Sequence, residues 1–383
     1  MISSTGKVDY NKTPLLIFWE TTKSCDLACR HCRASAIMEP LPDEMNIEES
    51  IRFVRSISAF DGMKPITVLS GGDVLKKRGL KEIIGEFSRL HLRFSLSPSA
   101  TERLNYEMIH FMKENRVASM SLSLDGSNRE IHDHIRGVEG VFERTMKLIS
   151  DLKVASIPLQ INTTVMRENL RDLPAILKTL IEKGIGVWEV FFLITTGRGS
   201  ELLDLTPEEY EEVNKWLLFS TSYGMHVRTV ESPMYRRIVS EYNSSGKLEG
   251  GDLYQFLADR TVDLLGQPKG IPSSPIANTS DGKGTIFVAH NGDVYPSGFL
   301  QMPLGNVRER SLKEIYAGNE TLKRIRDPSS YDGKCGICEY NNVCGGSRAR
   351  AFTKTGNPFG SDPACIYVPS QITEIKGGSV AVN

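Results

Sequence analysis

The sequence predicts an α/β fold in which parallel strands alternate with helices. Six short apolar runs, each of strand length, recur through the first two hundred residues. Helical periodicity separates them, as in the apolar positions 173, 176, 177 and 180 between the fifth and sixth runs. Such alternation favours right-handed crossovers between parallel strands. A cysteine-rich loop follows the first run directly, and the active sites of α/β barrels lie on loops of this kind.

The predicted elements follow one another without long interruptions. A helix is predicted from near residue 42 to residue 57, and another begins after Thr206, a good N-cap followed by Pro207. The dipeptide Asn291-Gly292 predicts a hairpin over residues 285–295, and a short helix should follow at 312–316. The strands are expected at 14–20, 66–70, 94–98, 120–125, 159–165 and 187–193, with a seventh at 227–230.

Composition excludes several classes of protein. The chain has 383 residues, of which 40% are hydrophobic and 24% charged, and its formal net charge is −1. This balance gives no electrostatic footprint for nucleic acid or an anionic membrane. No apolar run is long enough to span a bilayer, and the N-terminus lacks the apolar segment of a signal peptide. We therefore expect a cytoplasmic protein without nucleic-acid or membrane partners.

Seven cysteines form two groups at opposite ends of the chain. The first cysteine set has the spacing C-x3-C-x2-C and comprises Cys25, Cys29 and Cys32. The second cysteine set comprises Cys335, Cys338, Cys344 and Cys365. An odd, clustered set in a long chain favours metal binding over a disulfide scaffold. Structural zinc usually takes four ligands, so three thiolates that leave a metal position open suit catalysis better. A zinc knuckle and a redox C-x-x-C remain alternatives.

The first cysteine set and its strand–loop–helix context resemble the radical S-adenosylmethionine (SAM) superfamily. That resemblance implies that Cys25, Cys29 and Cys32 bind three irons of a [4Fe–4S] cluster, while SAM chelates the fourth iron. It implies an open, partial (β/α)6 TIM-like barrel over residues 14–230. It also implies an enzyme that cleaves SAM reductively to a 5′-deoxyadenosyl radical, with an electron donor such as ferredoxin or flavodoxin.

The same resemblance implies SAM contacts at the ends of strands. The motif Gly71-Gly72-Asp73 follows the second strand, where the superfamily usually has Gly-Gly-Glu to hold the SAM amine. Aspartate keeps the charge with a shorter reach. The other implied contacts are Ser123 and Arg136 for the ribose and carboxylate, and Asn162 on the fifth strand. Ordinary turns and helix capping are the alternative roles for these residues.

The hairpin, the "LGNV" stretch and the second cysteine set resemble the SPASM/Twitch extension of radical SAM enzymes. We expect this domain at 285–368, after a loop-rich linker or lid at 231–284 and before a tail at 369–383. A full SPASM domain uses seven cysteines for two clusters, whereas Ser297 stands where the hairpin cysteine would fall. The resemblance thus implies one auxiliary [4Fe–4S] cluster on Cys335, Cys338, Cys344 and Cys365, two clusters in all. Zinc remains an alternative here, and the cluster's role can be redox or structural.

The chain contains the motifs TVLSGGD, SLSLDG, WEVFFLITTGRG, VYPSGFL and CGICEYNNVCGGSRARA. Together with the first cysteine segment, these motifs resemble the haem-biosynthetic branch of the superfamily, whose members remove or shorten carboxylate side chains of iron tetrapyrroles. Arg198, Arg348 and Arg350 are then candidates to pair with substrate carboxylates, or else ordinary surface charges. A second class modifies ribosomally made peptides and often carries a leader-binding module. Only thirteen residues precede Pro14, which disfavours that class. A third class, a non-catalytic electron carrier, would not need the SAM-binding residues.

Overall fold

The computed structural model describes residues 9–201, 204–276 and 279–372. Within these ranges the chain divides into two compact units. The first unit consists of residues 9–123, 136–160 and 279–326, and the second consists of residues 124–135, 161–276 and 327–372.

The strands of the described chain are short and mostly buried. They are β1 Leu16–Glu20, β2 Ile66–Ser70, β3 Phe94–Leu96, β4 Met120–Ser123, β5 Leu159–Val165, β6 Val187–Phe192, β7 His226–Val230, β8 Thr285–Val288, β9 Asp293–Tyr295 and β10 Gly305–Asn306. All six strands expected before residue 200, the seventh strand and the hairpin are thereby confirmed.

Helices follow most of these strands. They are α1 Ile47–Ile57, α2 Leu80–Arg89, α3 Tyr106–Glu114, α4 Arg129–Arg136, α5 Val141–Val154, α6 Leu173–Glu182, α7 Pro207–Ser220, α8 Met234–Ser245, α9 Asp252–Leu265, α10 Leu312–Gly318, α11 Glu320–Arg326, α12 Gly333–Ile337 and α13 Arg348–Thr355. Thr206 caps α7 as expected, and its hydroxyl accepts from the Glu209 N–H. Within the described residues, no helix combines the length and apolar character needed to cross a membrane.

In the first unit the strand order is β10-β9-β8-β1-β2-β3-β4. The ladders β8–β1, β1–β2, β2–β3 and β3–β4 are parallel, whereas β8–β9 and β9–β10 are antiparallel. In the second unit β5, β6 and β7 form parallel ladders in that order. The predicted α/β class, with parallel strands and crossover helices, is confirmed. Parallel strands place their carboxyl ends, and the loops that follow, at one edge of each sheet.

The start of α1 differs from the prediction. The helix begins at Ile47 and not near residue 42, because Asn46 accepts from the Glu49 N–H while Glu49 accepts from the Asn46 N–H. This reciprocal pair satisfies two of the N–H groups that a helix start leaves without partners. The residues from Pro42 onward therefore remain a loop.

The loop-rich linker expected at 231–284 is also different in the structure, because α8 and α9 occupy much of it. Helix α9 packs against α6 and α7 and buries Tyr254 and Leu257. Burial of these residues against the neighbouring helices stabilises it. The hairpin strand β8 pairs in parallel with β1 in the first unit, and the domain bounds 285–368 stay a prediction.

Candidate functional site

The loop after β1 carries the first cysteine set. The Cys25 N–H donates to Ile37 O at 2.8 Å, so the loop returns alongside its own beginning. Within the loop, the Cys32 N–H donates a hydrogen bond to Cys29 O at 3.3 Å and closes a turn. Cys25 and Cys29 are buried and Cys32 is partly exposed. The fold of the loop thus gathers three thiols within one short segment.

Each sulfur of the first cysteine set receives a hydrogen bond. The Leu27 N–H donates to Cys25 Sγ at 3.3 Å, and the Ala36 N–H donates to Cys32 Sγ at 3.4 Å. The guanidinium of Arg136 donates to Cys29 Sγ at 3.7 Å. Donors aimed at sulfur stabilise thiolates, and thiolates are the ligands of iron–sulfur clusters. The donor set therefore fits a cluster on these three residues.

The Gly71-Gly72-Asp73 loop packs directly on the cysteine loop. The Gly72 N–H donates to Thr22 O and the Asp73 N–H donates to Ser24 O, both at 2.7 Å. A Cβ on Gly72 would lie 2.4 Å from Ser24 O, and Gly71 adopts φ 149°, where side chains are strained. The close approach that requires these glycines is that of the cysteine loop backbone.

Asp73 is fully buried, and its carboxylate binds groups of its own chain. It accepts from the Thr101 hydroxyl at 2.8 Å, the Leu75 N–H at 3.1 Å and the Ser99 N–H at 3.4 Å. Burial raises its pKa, although these hydrogen bonds oppose the rise. The Ser99 hydroxyl in turn lies 3.4 Å from Cys25 Sγ. Asp73 thus connects the loop after β3 to the cysteine loop.

The remaining implied SAM contacts lie at the ends of their elements. Arg136 ends α4, and its carbonyl accepts from the Ala28 N–H at 3.2 Å, so its backbone and side chain both contact the cysteine loop. Ser123 ends β4, and its hydroxyl has no hydrogen-bond partner among the described residues. Asn162 lies within β5 of the second unit, where its carbonyl accepts from the Leu124 N–H at 2.9 Å.

A buried charged network beside the cysteine loop was missed in the sequence. Glu20, the last residue of β1, forms an ion pair with Arg33 and accepts from His290 Nδ1 at 2.9 Å. Burial alone would raise the pKa of Glu20, but Arg33 and His290 reverse this effect and lower it to about 2. Arg33 also lies over the Phe287 ring, 4.7 Å from its centroid. The only sequence signal was a glutamate at the end of an otherwise apolar strand.

The second cysteine set lines a single cavity in the second unit. Cys335 Sγ accepts from the Asp362 N–H at 3.4 Å and from Arg348 Nη2 at 3.5 Å. Cys344 Sγ accepts from the Gly346 N–H at 3.5 Å. Burial raises the pKa of Cys344 to about 12, so an uncoordinated thiol there stays protonated. The four cysteines line this one cavity, and a metal group bound there would replace the protons of their thiols.

Glycine at position 346 keeps this cavity open. Gly346 has φ 65°, and a Cβ there would lie 3.0 Å from Cys335 Sγ and 2.8 Å from Asp362 Cβ. A side chain at position 346 would therefore displace Cys335 or Asp362 from its present position. Four cysteines around one cavity fit a four-thiolate group at the second cysteine set.

Ser297 takes part in a turn. Its hydroxyl accepts from the Leu300 N–H at 3.1 Å and from the Phe299 N–H at 3.3 Å. The position that would hold a hairpin cysteine in a full SPASM domain therefore caps a turn of the first unit here.

Two of the three arginines expected to bind substrate have other partners. Arg348 and Arg350 are each only 2% exposed, so neither the substrate role nor the surface alternative holds for them. Arg350 pairs with Asp362 at 3.2 Å and donates to Glu231 O at 2.8 Å. Motif adjacency suggested the substrate role, but in the second unit these guanidinium groups hold the cysteine segment together. Arg198 is partly exposed, and its role stays a prediction.

Neither cysteine set forms disulfides, and all seven cysteines lie in the described ranges. Within residues 9–201, 204–276 and 279–372, no three His, Cys, Asp or Glu side chains converge as they would on a single metal ion.

Two protein-family matches cover different segments of the chain, and each contains cysteines of one set. Residues 19–180 match the radical SAM superfamily, and residues 280–340 match the SPASM iron–sulfur cluster-binding domain. The first match contains the first cysteine set and the Gly-Gly-Asp loop. The second contains the hairpin together with Cys335 and Cys338.

Curated relatives align along nearly the full chain. An AdoMet-dependent heme synthase from Oleidesulfovibrio alaskensis is 38% identical, covering 92% of this chain and 87% of the relative. One of the same name from Methanosarcina barkeri is 35% identical, covering 94% and 98% respectively. The chain therefore belongs to the radical SAM superfamily, with a SPASM-type iron–sulfur domain. It is an enzyme with [4Fe–4S] clusters and SAM as cofactors.

Solved structures agree on the fold. The structure described as native anSMEcpe with bound AdoMet superposes with a TM-score of 0.67 and 18% identity. The alignment covers 92% of this chain and 94% of that one. The predicted resemblance to radical SAM barrel enzymes is confirmed at the level of fold.

Proposed function

We propose that this enzyme removes carboxylate carbon from the side chains of an iron tetrapyrrole, by oxidative decarboxylation or a related loss. The observation that carries the proposal is the similarity to AdoMet-dependent heme synthases, at 38% identity over 92% of the chain. Similarity of this extent favours a tetrapyrrole over the peptide substrates of the second class considered above. A small-molecule substrate also agrees with the branch that the motifs resemble.

We assign the SAM-binding cluster to Cys25, Cys29 and Cys32. The supporting contacts include the hydrogen bonds that the Leu27 N–H, the Ala36 N–H and the Arg136 guanidinium donate to these sulfurs. When bound and reduced, the cluster with SAM supplies a 5′-deoxyadenosyl radical that abstracts hydrogen from the substrate. The chain's own task is to orient SAM and to exclude water.

We assign the binding of SAM to residues at or near the ends of the strands. The Ser123 hydroxyl is available to a ligand, and Arg136 carries a planar cation suited to a carboxylate. Gly71 and Gly72 set the shape of the loop, and Asp73 holds it through Ser99 and Thr101. Asn162 remains a proposed contact. Asp73 is thus proposed as a positioning residue, since its carboxylate already accepts three hydrogen bonds.

For the second cysteine set we assign a four-thiolate [4Fe–4S] cluster. Four thiolates satisfy four irons, so direct contact with SAM or substrate is not expected. Loss of carbon dioxide from a substrate radical leaves one electron to be removed, and this cluster is the proposed acceptor. A one-electron carrier of the ferredoxin or flavodoxin class is the proposed donor for the first cluster.

The test is an anaerobic incubation of reconstituted enzyme with SAM, dithionite and iron-coproporphyrin, followed by mass spectrometry. The expected product has lost the elements of formic acid, as carbon dioxide and hydrogen, from a propionate. The matched control is the same mixture with the metal-free porphyrin. If 5′-deoxyadenosine forms while no tetrapyrrole changes mass, the substrate assignment is wrong and peptide substrates become the next to test.

A further inference from the structure

Arg348 is buried beside the second cysteine set, and each nitrogen of its guanidinium has an acceptor. Nε donates to Gly346 O at 3.2 Å, and Nη1 donates to Pro358 O at 3.0 Å and Gly360 O at 2.7 Å. Nη2 donates to Cys335 Sγ at 3.5 Å. The guanidinium carbon also lies 4.5 Å from the centroid of the Tyr331 ring. These contacts fix the cation in one position.

The partners of Arg348 leave its charge directed at sulfur. Among the described residues, no carboxylate oxygen lies within ion-pair distance of this guanidinium. Its neighbour Arg350 differs, because Arg350 is neutralised by Asp362 at 3.2 Å. Arginine stays protonated in proteins, so Arg348 keeps a full positive charge next to Cys335. A negative charge that develops at this sulfur is therefore stabilised.

Within the second cysteine set, Cys335 Sγ accepts a hydrogen bond from a charged group, the Arg348 guanidinium. It accepts from Arg348 Nη2 and from the Asp362 N–H, whereas Cys344 accepts from one backbone N–H. Gly346 keeps the approach between Arg348 and Cys335 open, since a Cβ there would lie 2.5 Å from Arg348 Nη2. The geometry therefore preserves one particular cation–sulfur contact.

We propose that Arg348 raises the reduction potential of the auxiliary cluster through its hydrogen bond to Cys335, which makes that cluster an electron acceptor. This inference rests on the proposed four-thiolate cluster. Reduction adds one electron to a cluster whose four thiolates already make it anionic. A fixed cation stabilises the reduced form more than the oxidised form, and hydrogen bonds to ligand sulfur act in the same direction.

The electron comes from the substrate radical. As the carbon–carbon bond to the carboxylate breaks and carbon dioxide leaves, the carbon radical loses one electron and a double bond forms. A cluster held by Cys335, Cys338, Cys344 and Cys365 would accept that electron, and an external one-electron carrier of the ferredoxin or flavodoxin class would reoxidise it for the next turnover. By raising the reduction potential of the auxiliary cluster, Arg348 favours electron transfer from the substrate radical to that cluster.

The test measures the midpoint potential of the auxiliary cluster alone. The full chain with alanine at all three positions of the first cysteine set retains one cluster, and dithionite titration followed by electron paramagnetic resonance gives its potential. Arg348→Gln should shift the reduction equilibrium about tenfold or more towards the oxidised form, which lowers the midpoint by about 59 mV per tenfold for one electron. Arg348→Lys retains the charge, so its midpoint potential should lie between those of the wild type and Arg348→Gln.

Arg326 provides a matched control in the first unit. It is also buried, donates to carbonyl oxygens of Gly282, Asn11 and Tyr316, and lies 4.0 Å from the centroid of the Tyr316 ring. None of its hydrogen bonds with described residues goes to sulfur. Arg326→Gln should therefore leave the midpoint unchanged while costing similar stability.

The outcomes separate this inference from the function on which it rests. A purely structural role for Arg348 would reduce iron content but leave the potential of the loaded cluster unchanged, and that result overturns the inference. If Arg348→Gln does not load iron, the Arg348→Lys midpoint decides in the same way. A wild-type second cysteine set that holds zinc instead of iron would overturn the auxiliary-cluster assignment itself.

Discussion

Replacing Glu20 with glutamine tests the buried network beside the cysteine loop. The side chain keeps its shape but loses the charge that pairs with Arg33 and accepts from His290. The pKa of Glu20 falls from 4.5 to about 2, which corresponds to about 3 kcal/mol at 1.36 kcal/mol per unit. Breaking a buried pair by removing one partner typically costs about 3–5 kcal/mol. We therefore expect Glu20→Gln to lower the free energy of unfolding by about 3 kcal/mol.

The assay is anaerobic urea denaturation at pH 7, followed by tryptophan fluorescence. Trp19 precedes Glu20 in β1 and is fully buried, so its emission contributes a signal from this part of the first unit, together with those of Trp188 and Trp216 in the second unit. The control is Asp151→Asn, which removes an exposed partner of Lys147 2.6 Å away and should change stability by less than about 0.5 kcal/mol. Equal unfolding midpoints for Glu20→Gln and the control would refute the reasoning.

The pH dependence gives a second check on the same residue. A carboxylate whose pKa is lowered in the folded state contributes its full stability above its unfolded pKa of 4.5. That contribution declines as the pH falls from 4.5 towards 2. The stability difference between wild type and Glu20→Gln should therefore be complete at neutral pH and shrink on acidification below about pH 4.5. A difference that grew on acidification would contradict the ionised pair.

Three further predictions concern the loops that carry the cysteines. Alanine at every position of the first cysteine set should remove about half of the roughly eight irons expected from two [4Fe–4S] clusters and abolish 5′-deoxyadenosine formation; undiminished iron by colorimetric assay would contradict this. A Cys338→Ala, Cys344→Ala variant with native circular dichroism should still form 5′-deoxyadenosine but fail to release product, whereas full turnover would leave the second cluster a structural role. Gly72→Ala should destabilise the protein by about 2 kcal/mol in urea titrations, because its Cβ would lie 2.4 Å from Ser24 O; Gly85→Ala in α2, with nothing within 4 Å, should not destabilise it.

The class of fold and both cysteine sets were predictable because their signals are local. The first seven strands, of three to seven residues each, and the C-x3-C-x2-C loop are encoded by consecutive positions, and the hairpin at Asn291-Gly292 follows from two residues. Helix α9 was not predictable, because its stability comes from packing on α6 and α7.

The candidate site was predictable as a set of residue types but not as a set of partners. Glu20 and His290 are 270 positions apart in the chain, and no local pattern relates them. Arg348 follows the cysteine motif, which suggested a substrate role, yet its acceptors are carbonyl groups and Cys335. Asp73 was identified through its motif, while its three intramolecular donors depend on the loop after β3.

The parallel ladder between β1 and β8 has a consequence for synthesis on the ribosome. Leu16 pairs with Thr285, so one edge of β1 stays unpaired until the ribosome has added about 270 more residues. At roughly 5–20 residues per second, that delay is about 15–50 s. During this time the nascent chain exposes an unpaired edge next to Ile17 and Trp19, both of which are buried in the finished protein. We expect the nascent enzyme to depend on chaperones, and truncation before residue 285 to yield aggregates instead of a smaller working barrel.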